Sequence, residues 1–403
     1  MTQPNDKPAT REAGHPTALC ASTNPDRADT PTVWVLLDDR PGNTTQAIGL
    51  AETLGWPYQR KRLCFNALAN VHNHILGSTH RTIDPGESDT LEPPWPKVVI
   101  SAGRRTAPVA RWIGKQSSGQ SLLVQLGRRG GNVADAFDAV ITPLHTRLLP
   151  HPRRIETLGP LNPVNPERLE QARTRWPDLG NGLARPLIAL LVGGSTPRYT
   201  LDAAYASRMG VEVNAYAQAQ SGSLVVLTSR RTGPQATRAL IDSVAPEVRV
   251  SQWQAEVESP YLGYLAQADI LIVTGESESM LAEVAALGKP MFIYPVPQKP
   301  PTRKLRLKEW ILGNAQLRSD GGAGDLPWFS APIQSLCAKL IGSGLIMPPR
   351  RIDLLHQALI DRGIAQYFGQ PWGETTPRPL RETADVADKL KALLLGPDLE
   401  HGQ

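Results

Sequence analysis

Short apolar runs recur along the chain at intervals that leave room for one helix each. "TVWVLLDD" (32–39), "KVVISAG" (97–103), "SLLVQLG" (121–127) and "FDAVITP" (137–143) are rich in β-branched and apolar residues and are predicted to be buried strands. "YQRKRLCF" (58–65) is strand-like but polar, and "QAIGLAETLG" (46–55), "ALANVHNHIL" (67–76) and "APVARWIGKQ" (107–116) carry a helical period. A segment rich in proline and glycine, "LGPLNPVNPERLEQARTRWPDLGNG", then interrupts the alternation and is expected to be an interdomain linker around one short helix. The alternation restarts with strands in "PLIALLVGG", "SLVVLTS", "EVRVSQW", "ILIVTG" and "PMFIYP". Helices are predicted between them over Leu201 to Gln220, with an interruption near Gly210, and in "PQATRALIDSVA", "PYLGYLAQAD" and "SMLAEVAALG". From about Lys304 the chain is expected to be helical, with an apolar stripe at Ile352, Leu355, Leu359 and Ile364 and a last amphipathic helix in "ADVADKLKALL".

Strands alternating with single helices form βαβ units and parallel sheets. Two such runs predict an α/β fold of two doubly wound Rossmann-like domains facing a cleft, with C-terminal helices. The expected boundaries are a disordered tail over 1–30, an acceptor-side domain over 31–165 and a linker over 166–186. A nucleotide-sugar-side domain over 187–345 and C-terminal helices over 346–403 complete the chain. A length of 403 residues agrees with more than one core. The formal net charge is only +5, so nucleic acid is not an expected partner. Arginine does cluster, in "QRKRL", "HPRR", "TSRRT" and "KPPTRKLRLK", which suits anionic partners or a solvated surface. The three cysteines are widely spaced and build no metal or disulfide pattern, which agrees with a reducing, cytoplasmic location. No apolar run reaches the ~20 residues of a membrane span, so membrane contact would be peripheral, on an inner face.

Ligands of doubly wound sheets sit beyond the carboxyl ends of the strands. Gly193, Gly194 and Ser195 end one strand with exposed amides and a hydroxyl, a composition that cradles phosphate or simply turns the chain. Ser229, Arg230 and Arg231 end another, and paired arginines there either aim charge into the cleft or face solvent. After "ILIVTG", Ser277, Glu278 and Ser279 open a helix whose first amides and dipole favour an anion; the same residues could cap the helix. Glu283, one turn in, is placed to accept hydrogen bonds from a ribose diol.

"VWVLLDDRPGNTTQAIGLAETLG", "VVISAGRRTAPVARWI", "FDAVITPLHTRL", "LGPLNPVNPERL", "LIALLVGGSTPRYTL", "VVLTSRRTGP" and "RGIAQYFGQPW" resemble a family related to GT-B glycosyltransferases. It holds the plant mitochondrial-fission proteins named for elongated mitochondria and many bacterial relatives. The resemblance runs from Val33 to about Trp372. It implies a metal-independent glycosyltransferase without a cofactor, moving a sugar from a nucleotide-diphosphate donor to an envelope or lipid-linked acceptor. The plant relatives imply the alternative, a catalytically silent scaffold at a membrane surface. A sugar-nucleotide epimerase shares the architecture, but these loops are poor in histidine. By resemblance, Gly193 to Ser195 and Ser277 to Met280 match the diphosphate loops and Glu283 the ribose acid. "DDRPGNTTQ" lacks the histidine many such enzymes place there, which leaves Asp38, Asp39 and His145 as candidates for the general base. Arg40, Gly42, Asn43, Gln46, Arg104 and Arg105 are expected on the acceptor side, for an anionic or lipid-linked acceptor.

Overall fold

The computed structural model describes residues 32–127, 134–255, 257–319, 330–372 and 377–395. The expectation for the tail over 1–30 lies outside these residues. The described residues form one compact unit holding two six-stranded parallel sheets.

The first sheet contains β1 (Val33–Leu37), β2 (Tyr58–Arg62), β3 (Val98–Ala102), β4 (Leu122–Leu126), β5 (Ala139–Pro143) and β6 (Arg154–Thr157), in the spatial order β2-β1-β3-β4-β5-β6. β3 and β5 are buried along their whole length, as expected of apolar strands covered on both faces. The polar β2 lies at the edge, where Gln59, Arg60 and Arg62 are exposed to water. Helices α1 (Pro41–Leu54), α2 (Asn73–Leu76) and α3 (Gly103–Gln116) accompany it. The helix expected over 67–76 is split. Asn66 and His72 each accept from an amide two residues on, so a 3₁₀ turn (Ala67–Asn70) and the short α2 form instead.

The expected linker is built structure. Its α4 (Pro166–Arg175) starts on Asn165, whose side chain accepts from the Arg168 amide, with Pro166 in the first turn. Arg168 pairs with Glu52 of α1 through both carboxylate oxygens.

The second sheet holds β7 (Leu187–Val192), β8 (Ser223–Thr228), β9 (Arg249–Ser251), β10 (Ile270–Thr274), β11 (Met291–Tyr294) and β12 (Ala365–Tyr367), ordered β12-β11-β10-β7-β8-β9. Its helices are α5 (Ala203–Ala219), α6 (Gly233–Ile241), α7 (Tyr261–Gln267) and α8 (Glu278–Ala285). Gly210 does not interrupt α5. A Cβ there would stand 2.0 Å from Ser243 Oγ, so the glycine permits close packing on the turn after α6. Beyond β11 come α9 (Arg303–Ser319), α10 (Ser330–Gly342), α11 (Ile352–Asp361) and α12 (Glu382–Leu395). The C-terminal region is not helical throughout, because β12 adds to the sheet beside β11. Nor does it stay with the second domain. Val386, Ala387 and Leu390 of α12 are buried in one core with Ala47, Leu50 and Leu54 of α1. No described helix is long and apolar enough to cross a membrane.

Candidate functional site

In each sheet the strand order reverses at one point, between β1 and β3 in the first and between β7 and β10 in the second. The loops leaving these strand pairs diverge and open a crevice. The loops singled out after β1, β3, β7 and β10 stand at these two places, while those after β5 and β8 leave other strands of the same sheets.

In the second domain the crevice holds a pocket of about 530 Å³. Its wall includes Thr196, Arg198 and Tyr199 from the loop after β7, Arg231 from the loop after β8, and Glu276, Glu278 and Ser279 from the loop after β10. Arg350 and Ile352, at the start of α11, close it. Glu276 is the centre of this arrangement. It is 2% exposed, and its Oε1 accepts from the Gly194 amide at 2.5 Å and from Thr274 Oγ1 at 3.2 Å. The Gly193 amide is held by Thr274 Oγ1 at 2.8 Å. Both glycine amides expected to cradle phosphate are therefore bonded to protein side chains. Glu276 Oε2 has no partner, and burial pushes the carboxyl above its ordinary pKa. A buried carboxyl with one open oxygen can donate or accept, according to its proton.

The N-terminus of α8 is not capped by a side chain. Ser277 is buried, and its hydroxyl accepts from Arg231 Nη2 at 3.2 Å. Glu278 does not cap either. It bonds Arg350 Nη1 at 2.5 Å and His145 Nε2, from the loop after β5, at 2.5 Å. Capping, the alternative reading of these residues, is thus not what their side chains do. The backbone of the loop is fixed from behind by α11. His356 Nε2 donates to the Gly275 carbonyl at 2.6 Å, and burial lowers the affinity of this histidine for a second proton.

Other expected donor residues lie elsewhere. Ser195 bonds the backbone of Leu201, which shapes its own loop. Ser229 donates to the Gly193 carbonyl, and Arg230 lines a separate pocket of about 550 Å³ with Trp253. Met280 packs against the hydrophobic core. Glu283 is not at the Arg198–Arg231 pocket. Its Oε2 accepts from the Tyr261 hydroxyl at 2.6 Å, and burial pushes its carboxyl up to about 7. A carboxyl raised in the folded state holds its proton where the unfolded chain has lost it, so stability falls as pH rises from about 4.5 to about 7. The expected fall is ~1–3 kcal/mol, reduced by partial exposure. Urea midpoints across this range should decline in the native chain, and the slope should flatten in Glu283→Gln. An unchanged slope in the variant would contradict the assignment.

At the first switch point, Asp38 accepts from Asn43 Nδ2 at 2.9 Å and from the Arg40 amide at 3.1 Å, and burial raises its pKa. Asp39 pairs with Arg105 at 2.7 Å. Arg104 spends its guanidinium on the carbonyls of Ala69 and Val71, so it is not free for an acceptor. Gln46 bonds the Gly42 carbonyl in the first turn of α1. His145 is 1% exposed, with its Nε2 bonded to Glu278 and its Nδ1 without a partner among the described residues. The residues missed from the sequence are Glu276, Arg198 and Arg350. Glu276 sits inside a noted motif, between Gly275 and Ser277. Arg198 also lies in a noted loop, shortly after Ser195, whereas Arg350 reaches the pocket from a distant segment and leaves no local signal.

Residues 41–318, more than half of the chain, match the model of one family, described as mitochondrial fission ELM1. The chain belongs to the mitochondrial fission ELM1 family. It is 26% identical over 228 residues to the mitochondrial fission protein ELM1 of Arabidopsis thaliana, covering 51% of this chain and 52% of that protein. The chain thus spans about half the length of that plant relative. An uncharacterised protein of Rickettsia prowazekii is 27% identical over 296 residues, covering 65% of this chain and 82% of its own length. Among solved structures, the UDP-GlcNAc 2-epimerase of Methanocaldococcus jannaschii aligns with a TM-score of 0.43 and 10% identity, over 89% of this chain and 99% of that one. The two six-stranded parallel sheets described above are the pair of doubly wound domains expected from the sequence.

Proposed function

We propose that the second domain binds the diphosphate of a nucleotide sugar, and that the protein is a metal-independent glycosyltransferase acting on an envelope or lipid-linked acceptor. One observation carries this reading. The uncapped N-terminus of α8 opens on a pocket bordered by Arg198, Arg231 and Arg350, with Glu276, whose buried Oε2 lacks a partner, in its wall. Helix amides and guanidinium groups are suited to a diphosphate and to the charge of a departing nucleotide. The reading asks for no metal ion or cofactor. Glu276, if protonated, would donate to a phosphate oxygen. Of the candidate bases this reading favours Asp38, since desolvation raises its affinity for a proton.

A second reading is favoured by the partners of the candidate bases. Asp39 is bound to Arg105 and His145 to Glu278, which suits a silent scaffold at a membrane surface. Titration calorimetry with a panel of nucleoside diphosphates and their sugars separates the two. The proposal expects one of them to bind, and Arg231→Ala to weaken it by ~1.5–3 kcal/mol, about 10- to 150-fold. If none binds the native chain, the scaffold reading stands.

A further inference from the structure

The helix pair α9–α10 carries a surface that the pocket does not explain. The two helices meet over a small separate core of Ile311, Leu312, Ala315, Cys337 and Ile341. Outside that seam the pair is apolar where solvent-facing helices are normally polar. Leu307 is 56% exposed, Trp310 54%, Ile333 41%, Leu336 58% and, just beyond α10, Leu345 58%. Five of the eleven large hydrophobic residues exposed among the described residues thus fall between positions 307 and 345. Leu307 and Trp310 share a stripe with Arg303 at i, i+4 and i+7, and Ile333 and Leu336 form another at i and i+3. Single exposed apolar residues are ordinary, but such a concentration marks a contact surface.

The charge on α9 indicates what the contact is. Arg303, Lys304 and Arg306 stand in its first turn, with no acid there, and none of them makes an ion pair among the described residues. A helix N-terminus is the positive end of the backbone dipole, so three cations there raise its energy. An anionic surface would reverse that penalty. Large apolar side chains and exposed cations on one helix pair fit a bilayer interface. There tryptophan and leucine enter the headgroup boundary while lysine and arginine meet lipid phosphates. A nucleic acid would use the cations but not the leucines.

We propose that the α9–α10 pair is a docking surface for an anionic lipid bilayer. The proposal does not depend on nucleotide binding at the pocket. Flotation of the full chain with vesicles tests it, using phosphatidylcholine alone or mixed with phosphatidylglycerol. The full chain should float with the mixed vesicles and not with the neutral ones, and raised salt should weaken the binding. Reversing three charges in R303E/K304E/R306E should lower the binding constant by roughly 100-fold or more, at about 1 kcal/mol per cation. L307S/W310S should also release the protein from the vesicles, while the unfolding temperature of each variant shows that the fold is kept. Failure of the native chain to bind either vesicle would overturn the proposal. So would binding that both folded variants retain. A native dimer dissolved by L307S/W310S, without any vesicle binding, would instead assign the surface to a second copy of the chain.

Discussion

Gly194→Ala should destabilise the protein by about 2–5 kcal/mol and remove ligand binding at the pocket. Gly194 has φ +149°, a conformation that L side chains rarely adopt. An added Cβ would stand 2.1 Å from the Arg231 carbonyl oxygen and 2.5 Å from the Thr232 nitrogen. These are backbone atoms, so no side-chain rotation relieves the clash. The loop after β8 must move, and it carries Arg231 to the pocket wall. Gly193→Ala meets mainly the side chain of Glu276, at 2.0 Å from Oε1, and should cost less because that side chain can turn. The check is a pair of urea titrations with calorimetry on the same samples. Equal midpoints for native protein and Gly194→Ala would refute the prediction.

Leu355→Ala should cost a similar 2–5 kcal/mol, the range for truncating a leucine inside a packed core. Leu355 is fully buried in α11, in one cluster with Leu281 and Val284 of α8, Val273 of β10 and Leu158 ahead of the second domain. The cavity would open beneath the helix whose N-terminus faces the pocket. A lower denaturation midpoint with an unchanged denaturant slope is the expected reading, since the folded surface is kept. A loss under ~1 kcal/mol would show that the site collapses around the missing side chain.

The inner strands of both sheets were legible because a strand covered on both faces must be apolar throughout, as "LIALLV" and "ILIVT" are, whereas the short edge strands β6 and β12 were not. The loops at both reversal points were legible too, since glycine and short polar residues follow those strands directly. What each loop residue does was not legible. Gly193 and Gly194 have the composition of a phosphate cradle, yet Thr274 and Glu276 occupy their amides from across the crevice. That pairing joins segments some eighty residues apart and leaves no trace in local period or propensity. For the same reason His145, read as a candidate base, turns out to be the partner of Glu278. α12 was legible as an amphipathic helix, but its apolar stripe does not say which core it enters. Charge gave a clearer guide at α9, because four cations in "RKLRLK" precede the first acid of that helix.

The return of α12 to the first domain means that the chain passes between the two halves twice, once ahead of β7 and once after β12. Both passages are tied together. The Glu382 carboxylate, at the start of α12, accepts from the amides of Leu158 and Gly159, while Thr383 Oγ1 donates to the Asn162 carbonyl. Two passages fastened side by side behave as one pivot rather than two independent tethers. A rotation of the halves about that point would break the contacts of the loop after β5 with the second half, His145 with Glu278 and Arg147 with Glu309 among them. A gene cut in the segment ahead of β7 would therefore not yield two self-sufficient proteins. Its first product would lack the helix that covers Ala47, Leu50 and Leu54, and its second would carry that helix with nothing to cover.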